Sequence, residues 1–173
     1  MSLVAAGTIE IPDSLGTAFD HGAFEPESRR VFIAHMARDR LEVVEADSNR
    51  HVATLDGFPE AAGVVAGEGC VLVTNRGSAS MAWVDARTLE TRAVLNTGPR
   101  PNGVAFASPL NAAVVACIGD ETHKPQLQVL GLEGKRRWSI DLPGRPRWCV
   151  IDANAERVFR DPRAVNGVSG PTA

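Results

Sequence analysis

The sequence predicts an all-β fold: a β-propeller of four-stranded antiparallel blades, with about three and a half to four blades present as a partial ring or an irregular four-blade ring. Three observations carry this. Residues 71–106 hold the parts of one blade: the run Val71-Leu72-Val73, a polar loop, the run Met81-Ala82-Trp83-Val84, the tight turn Asp85-Ala86-Arg87-Thr88 and a third run ending at Leu95. The unit then recurs. Val31-Phe32-Ile33-Ala34-His35 matches Val71-Leu72-Val73-Thr74-Asn75 at an offset of 40, and Gly22, Gly63 and Gly103 stand at offsets of 41 and 40. Finally, Gly, Pro, Asn and Asp interrupt each unit every eight to twelve residues or so, which leaves no room for the helices of HEAT or armadillo repeats of similar period.

Taken in order, residues 1–18 are expected to supply a ring-closing strand, over residues 4–11, followed by a loop. Residues 19–60, 61–101 and 102–146 are expected to form three blades, and residues 147–173 an incomplete fourth. In the first blade the strands fall at residues 21–24, 30–34, 40–45 and 51–55, with a loop over residues 35–39. Asp47 and Asp85 read as equivalent turn residues whose carboxylates accept backbone N–H groups. The third unit has a stretched period because of a longer loop, Ile118-Gly119-Asp120-Glu121-Thr122-His123-Lys124-Pro125. In the fourth, residues 156–159 read as a strand and residues 160–163 as a loop.

Composition narrows the function classes. The chain has 173 residues, 44% hydrophobic and 23% charged, which is ordinary for a globular domain. A net charge of -3 and a pI near 5.8 give no electrostatic reason to bind nucleic acid or an anionic membrane. There is no transmembrane run, and the opening lacks the basic segment of a secretion signal, so the expected compartment is the cytoplasm. Cys70, Cys117 and Cys149 show no CxxC or Cys/His cluster and read as small buried hydrophobes. Cys117, near His123 in sequence, is the candidate for a nucleophilic thiol.

The segments Val73-Thr74-Asn75-Arg76-Gly77-Ser78, Val84-Asp85 and Gly98-Pro99-Arg100-Pro101-Asn102-Gly103-Val104-Ala105 resemble the YVTN-type forty-residue β-propeller repeat of YncE-like proteins. Phe19-Asp20-His21, Arg145-Pro146-Arg147-Trp148 and Arg160-Asp161-Pro162 resemble a cytoplasmic-type branch of that family. The resemblance implies a ring of about seven blades, of which this chain supplies roughly half, as a truncated member would. An open arc leaves two end faces in water. At about 400 Å² of apolar surface per face, the two together are worth roughly 20 kcal/mol, more than a domain's usual net stability. Truncation, a homodimer completing the ring, or four-blade closure by the N-terminal strand are the resolutions.

In a propeller, the loops between second and third strands and those between successive blades share one rim. That rim is expected to carry His21, His35, Arg38, Glu60, Asn75, Arg76, Arg100, Asn102, Asp120, His123, Arg145, Arg147, Trp148 and Asp161. From these, His21, His35, Asn75, Arg76, Arg100, Asn102, Arg145, Arg147 and Trp148 are the candidate ligand-binding residues. The arginines with Trp148 suit an anionic or planar ligand, because guanidinium forks take carboxylate or phosphate in bidentate fashion. The reading is a non-catalytic scaffold for a protein or small anionic ligand, with no cofactor, metal or catalytic residue assigned. The alternative is a metal-dependent lactonase-like hydrolase with Asp20, Glu60, Asn75 and Asn102 converging on a channel cation.

Overall fold

The computed structural model describes residues 4–5, 7–152 and 157–162. It shows an all-β propeller arc made of three four-stranded antiparallel sheets and a two-stranded one. The first sheet contains β1 (Gly22–Glu25), β2 (Arg30–His35), β3 (Arg40–Glu45) and β4 (Arg50–Asp56). The second contains β5 (Ala61–Gly67), β6 (Cys70–Asn75), β7 (Ser80–Asp85) and β8 (Thr91–Asn96). In the third are β9 (Pro101–Ala107), β10 (Ala112–Cys117), β11 (Gln126–Gly131) and β12 (Arg136–Asp141), and β13 (Pro146–Asp152) pairs with β14 (Arg157–Pro162) in the fourth. In each four-stranded sheet the strand order follows the chain, so every connection is a hairpin.

The middle strands read as unbroken apolar runs because both of their faces are covered. In β6, Val71 and Val73 pack towards the first sheet with Phe32, Ala34, Leu41 and Val43. Their neighbours Cys70 and Leu72 point the other way, to Val104, Ala113, Val115 and Cys117 of the third sheet. The alternation repeats in β10, whose Val114 and Ala116 meet Cys149 of the fourth sheet. Burial accounts for all three thiols: Cys70, Cys117 and Cys149 are free, buried and pushed up to about 12 by desolvation. Cys117 therefore offers no thiolate at neutral pH, and His123 bonds Asp120 instead.

At the axis, successive inner strands approach through glycine. A Cβ on Gly63 would collide with the Asn102 carbonyl oxygen of the next sheet. One on Gly103 would lie 2.6 Å from the Arg147 carbonyl oxygen and 3.0 Å from Trp148 Cα. Trp148 thus stands in the fourth sheet where Gly63 and Gly103 stand in the second and third. The strands β1, β5, β9 and β13 pack side by side in that order, whereas β13 does not pack along β1 in the same way. Among the described residues the arrangement is that of a partial propeller.

Several expectations are corrected. A ring-closing strand is expected over residues 4–11, and among the described residues no strand lies ahead of Gly22. The N-terminal segment instead crosses the free side of the first sheet: Asp13 pairs with Arg40, Thr17 Oγ1 bonds His35 Nε2 at 3.0 Å, and Phe19 stacks on the His35 ring. The loop after β2 is a 3-10 turn, Met36–Arg38, as is Arg76–Ser78 after β6. Asp85 does accept the N–H groups of Arg87 and Thr88, but its counterpart in the first sheet is Glu45; Asp47 bonds the Arg29 guanidinium. Residues 160–162, expected in a loop, complete β14.

The glycine requirement is directly testable. Gly103→Ala is expected to lower stability by about 2–3 kcal/mol through overpacking, read from the urea midpoint. Gly67, whose Cβ would meet nothing within 4 Å, is expected to tolerate Ala within about 0.5 kcal/mol. Equal effects at the two positions would contradict the close inner-strand approach.

Candidate functional site

The 3-10 turns and the inter-sheet connections meet at one end of the arc, where Phe58 N–H donates to Asp39 O, Gly77 N–H to Pro59 O and Thr97 N–H to Ala79 O. On the axis at that end lies a cavity of about 280 Å³. Six of the nine expected ligand-binding residues line it: His21, Arg76, Asn102, Arg145, Arg147 and Trp148. Phe19, Asp20 and Met36 complete the wall.

Each side chain arrives from the head of an inner strand or from an adjacent loop. Arg100-Pro101-Asn102-Gly103 and Arg145-Pro146-Arg147-Trp148 run into β9 and β13 in corresponding positions. Asn102 therefore corresponds to Arg147, and both project at the axis. Arg76 follows β6 and reaches across to the segment ahead of β1, donating from Nη2 to Asp20 Oδ2 at 2.6 Å and to Asn102 Oδ1. Asn102 passes the link on, its Nδ2 donating to the Arg147 carbonyl at 2.7 Å. Its own carbonyl accepts from Thr74 Oγ1 at 2.8 Å. The segment ahead of the first sheet and residues of the other three sheets are thereby tied together by side-chain hydrogen bonds.

His21 is held from both sides. Its Nδ1 lies 2.7 Å from Asp20 Oδ1 and 3.1 Å from the Ala62 carbonyl. Both partners are acceptors, so Nδ1 carries the proton and Nε2 is bare. Burial is the largest influence on the ring and lowers its pKa. Asp20 and the Ala62 carbonyl act in the opposite direction, while Arg76 and Arg147 add to the lowering. The imidazole is therefore neutral at pH 7 and meets the Trp148 ring edge-on. Arg147 is different from Arg76: among the described residues its side chain has no carboxylate partner.

Three expected site residues lie elsewhere. His35 is fully buried, its Nδ1 donating to Glu42 Oε1 at 2.8 Å. Glu42 also accepts from Thr54 Oγ1 at 2.6 Å and from His51 Nε2 at 2.8 Å. Burial opposes ionisation of Glu42, and these hydrogen bonds outweigh it, holding the carboxyl below its usual range. Asn75 is buried against Ser80. Arg100 lines a separate, open depression with Asp120, Glu121 and Thr122, where the Asp120 carboxylate caps its own loop through Thr122 and His123.

The carboxylate and amide oxygens of the lactonase-like alternative do not fit a channel cation. Arg76 stands between Asp20 and Asn102, filling with a guanidinium the place a metal would need. Glu60 is exposed in the β4–β5 connection, its backbone N–H bonded to Asp39. Among the described residues no group of three or more His, Cys, Asp or Glu is arranged to hold a metal ion. No helix among them is long and apolar enough to cross a membrane.

No family model and no curated protein matches the chain. Solved structures do, and they are β-propeller proteins. The chain is similar to Kuenenia stuttgartiensis hydrazine synthase, with a TM-score of 0.76 and 17% identity over 91% of this chain and 47% of that one. It is similar to streptogramin B lyase, with a TM-score of 0.67 and 12% identity over 88% of this chain and 57% of that one. It is also similar to the Neurospora crassa Pan2 WD40 domain, with a TM-score of 0.64 and 12% identity over 80% of this chain and 43% of that one. The chain thus spans about half the length of these propellers. At such identities the likeness shows the fold alone.

The electrostatics of the cavity predict an ordered set of titrations by NMR of the histidine rings. In the native protein His21 should titrate below the ordinary 6.5. Arg147→Ala should raise its pKa by removing a cation, and Asp20→Asn should lower it by removing an anion. A His21 pKa at or above 6.5, or shifts of the opposite sign, would contradict the geometry.

Proposed function

We propose that this propeller arc is a non-catalytic binding scaffold whose working surface is the axial cavity, and that the cavity takes a small anionic ligand. The observation that carries the reading is Arg147. It stands in a pocket beside the exposed Trp148 ring, while the neighbouring Arg76 is already neutralised by Asp20. A cation held by backbone geometry next to an aromatic surface, without a carboxylate of its own among the described residues, supports an anion partner. The alternative of metal-dependent lactone hydrolysis gains no support from a donor set already bonded to Arg76.

Other parts of the reading rest on the sequence motifs. The repeats are assigned to the YVTN type on the segments that resemble it, and the cytoplasm is proposed from the three free cysteines. A homodimer completing the ring is proposed from the partial arc, whose end sheets expose Phe24 at 44% on one side and Val150 at 62% on the other.

One set of samples tests the proposal. Acetate, benzoate, inorganic phosphate and citrate are titrated into the labelled protein. At least one is expected to move the backbone resonances of residues 20, 21, 76, 102 and 145–148 saturably, and Arg147→Ala and Trp148→Ala are expected to remove the response while leaving the rest of the spectrum unchanged. Shifts scattered over the surface, or none with any of the four, would overturn it. Light scattering on the same material is expected to read two chains, and one chain would contradict the homodimer.

A further inference from the structure

The cavity's own dimensions and charges specify the ligand more narrowly than an anion. Its volume of about 280 Å³ lies at or below the small end of ligand pockets and equals roughly nine waters at about 30 Å³ each. A single-ring molecule fits this space.

The wall presents three guanidiniums, those of Arg76, Arg145 and Arg147, and one carboxylate, Asp20. Arg76 is paired with Asp20 at 2.6 Å and shared with Asn102. His21 is neutral, with its Nδ1–H committed to Asp20 and the Ala62 carbonyl. Arg145 lines the same wall and has interactions of its own. Arg147 remains as the principal counter-ion, and its fork of parallel N–H groups matches the two oxygens of a carboxylate. A second charge on the ligand would face the Asp20 carboxylate, which also lines the cavity.

Two aromatic surfaces then fix the body of the ligand. Trp148 is 41% exposed and Phe19 38% exposed, and both line the cavity. Each is held by a second ring: Phe19 stacks on the buried His35 with centroids 4.2 Å apart, and Trp148 meets His21 edge-on. Rings pinned in this way lose little entropy on contact and favour a flat partner over a puckered one. On this basis, and resting on the binding reading above, we infer that the cavity is a site for a small planar monocarboxylate, an aromatic or heteroaromatic acid of one ring, with its carboxylate on Arg147 and its ring against Trp148. The bare Nε2 of His21 adds an acceptor for a ring hydroxyl or N–H group on such a ligand.

Calorimetric titration of the whole chain at pH 7.5 tests this with three probes: benzoate, cyclohexanecarboxylate and inorganic phosphate. Benzoate is expected to bind one to one and at least about tenfold more tightly than either of the others. Arg147→Gln is expected to weaken benzoate by about tenfold or more, and Trp148→Leu to bring benzoate and cyclohexanecarboxylate to near equality. Because the ranking of probes is read on the native protein, it stands even where a variant fails to fold. Phosphate binding as tightly as benzoate, or cyclohexanecarboxylate doing so, overturns the planar monocarboxylate and leaves an anion-binding cavity. Absence of saturable binding with all three overturns both.

Discussion

Asn102 is the residue on which the axial end of the structure depends. Its backbone carbonyl accepts from Thr74 of the second sheet, its side-chain nitrogen donates to the Arg147 carbonyl of the fourth, and its side-chain oxygen receives Arg76. One amide thereby fixes the spacing of three neighbouring sheets at the point where they crowd most closely. The spacing is feasible because Gly63 and Gly103 present no Cβ to the carbonyl of the next sheet. Where the series ends, the requirement for glycine ends too. In the fourth sheet the position falls to Trp148, whose ring turns into the axial cavity, so a packing rule of the repeat also explains why an aromatic side chain is available there.

The charges follow from the same crowding. Buried carboxylates are costly unless donors satisfy them, and each one among the described residues has its donors. Glu25 accepts from Ser28 and Gly69 backbone N–H groups, tying the first sheet to the second. Glu42 is surrounded by His35, His51 and Thr54 on the free side of the first sheet. That polar cluster, with Thr17 and Phe19 laid over it, explains why this end sheet is not simply an apolar face in water. It also removes His35 from any ligand site, since its two ring nitrogens are engaged by Glu42 and Thr17. Arg147 lines the cavity with no carboxylate partner among the described residues.

Most of the architecture was legible because the repeat imposes its own signals. A strand covered on both faces must read as an apolar run, as Cys70-Val71-Leu72-Val73 does, and inner strands that nearly touch must carry glycine near their heads, as at Gly63 and Gly103. The cavity was partly legible for the same reason: Asn102 and Arg147 occupy matching repeat positions. What the pattern lacks is the sense in which a side chain at a strand end points. His35 and Asn75 end β2 and β6 at equivalent places, yet both turn into the protein. The N-terminal segment carries a strand-like alternation but follows the Arg40, Arg38 and His35 side chains, which are distant in sequence. Met36 carried no motif, and Phe19 was part of the Phe19-Asp20-His21 segment but was not marked as a site residue; their roles come from the fold around them.

Residues from the two ends of the arc converge on one axial cavity through Asn102. Nuclear Overhauser contacts between the His21 imidazole and the Trp148 indole measure that convergence most directly, because His21 immediately precedes β1 of the first sheet and Trp148 lies in β13 of the fourth. Strong ring-to-ring contacts in the native chain, lost in Asn102→Ala while the contacts within each sheet persist, are the predicted result. An absence of those contacts in the native chain, or their survival unchanged without Asn102, would contradict it.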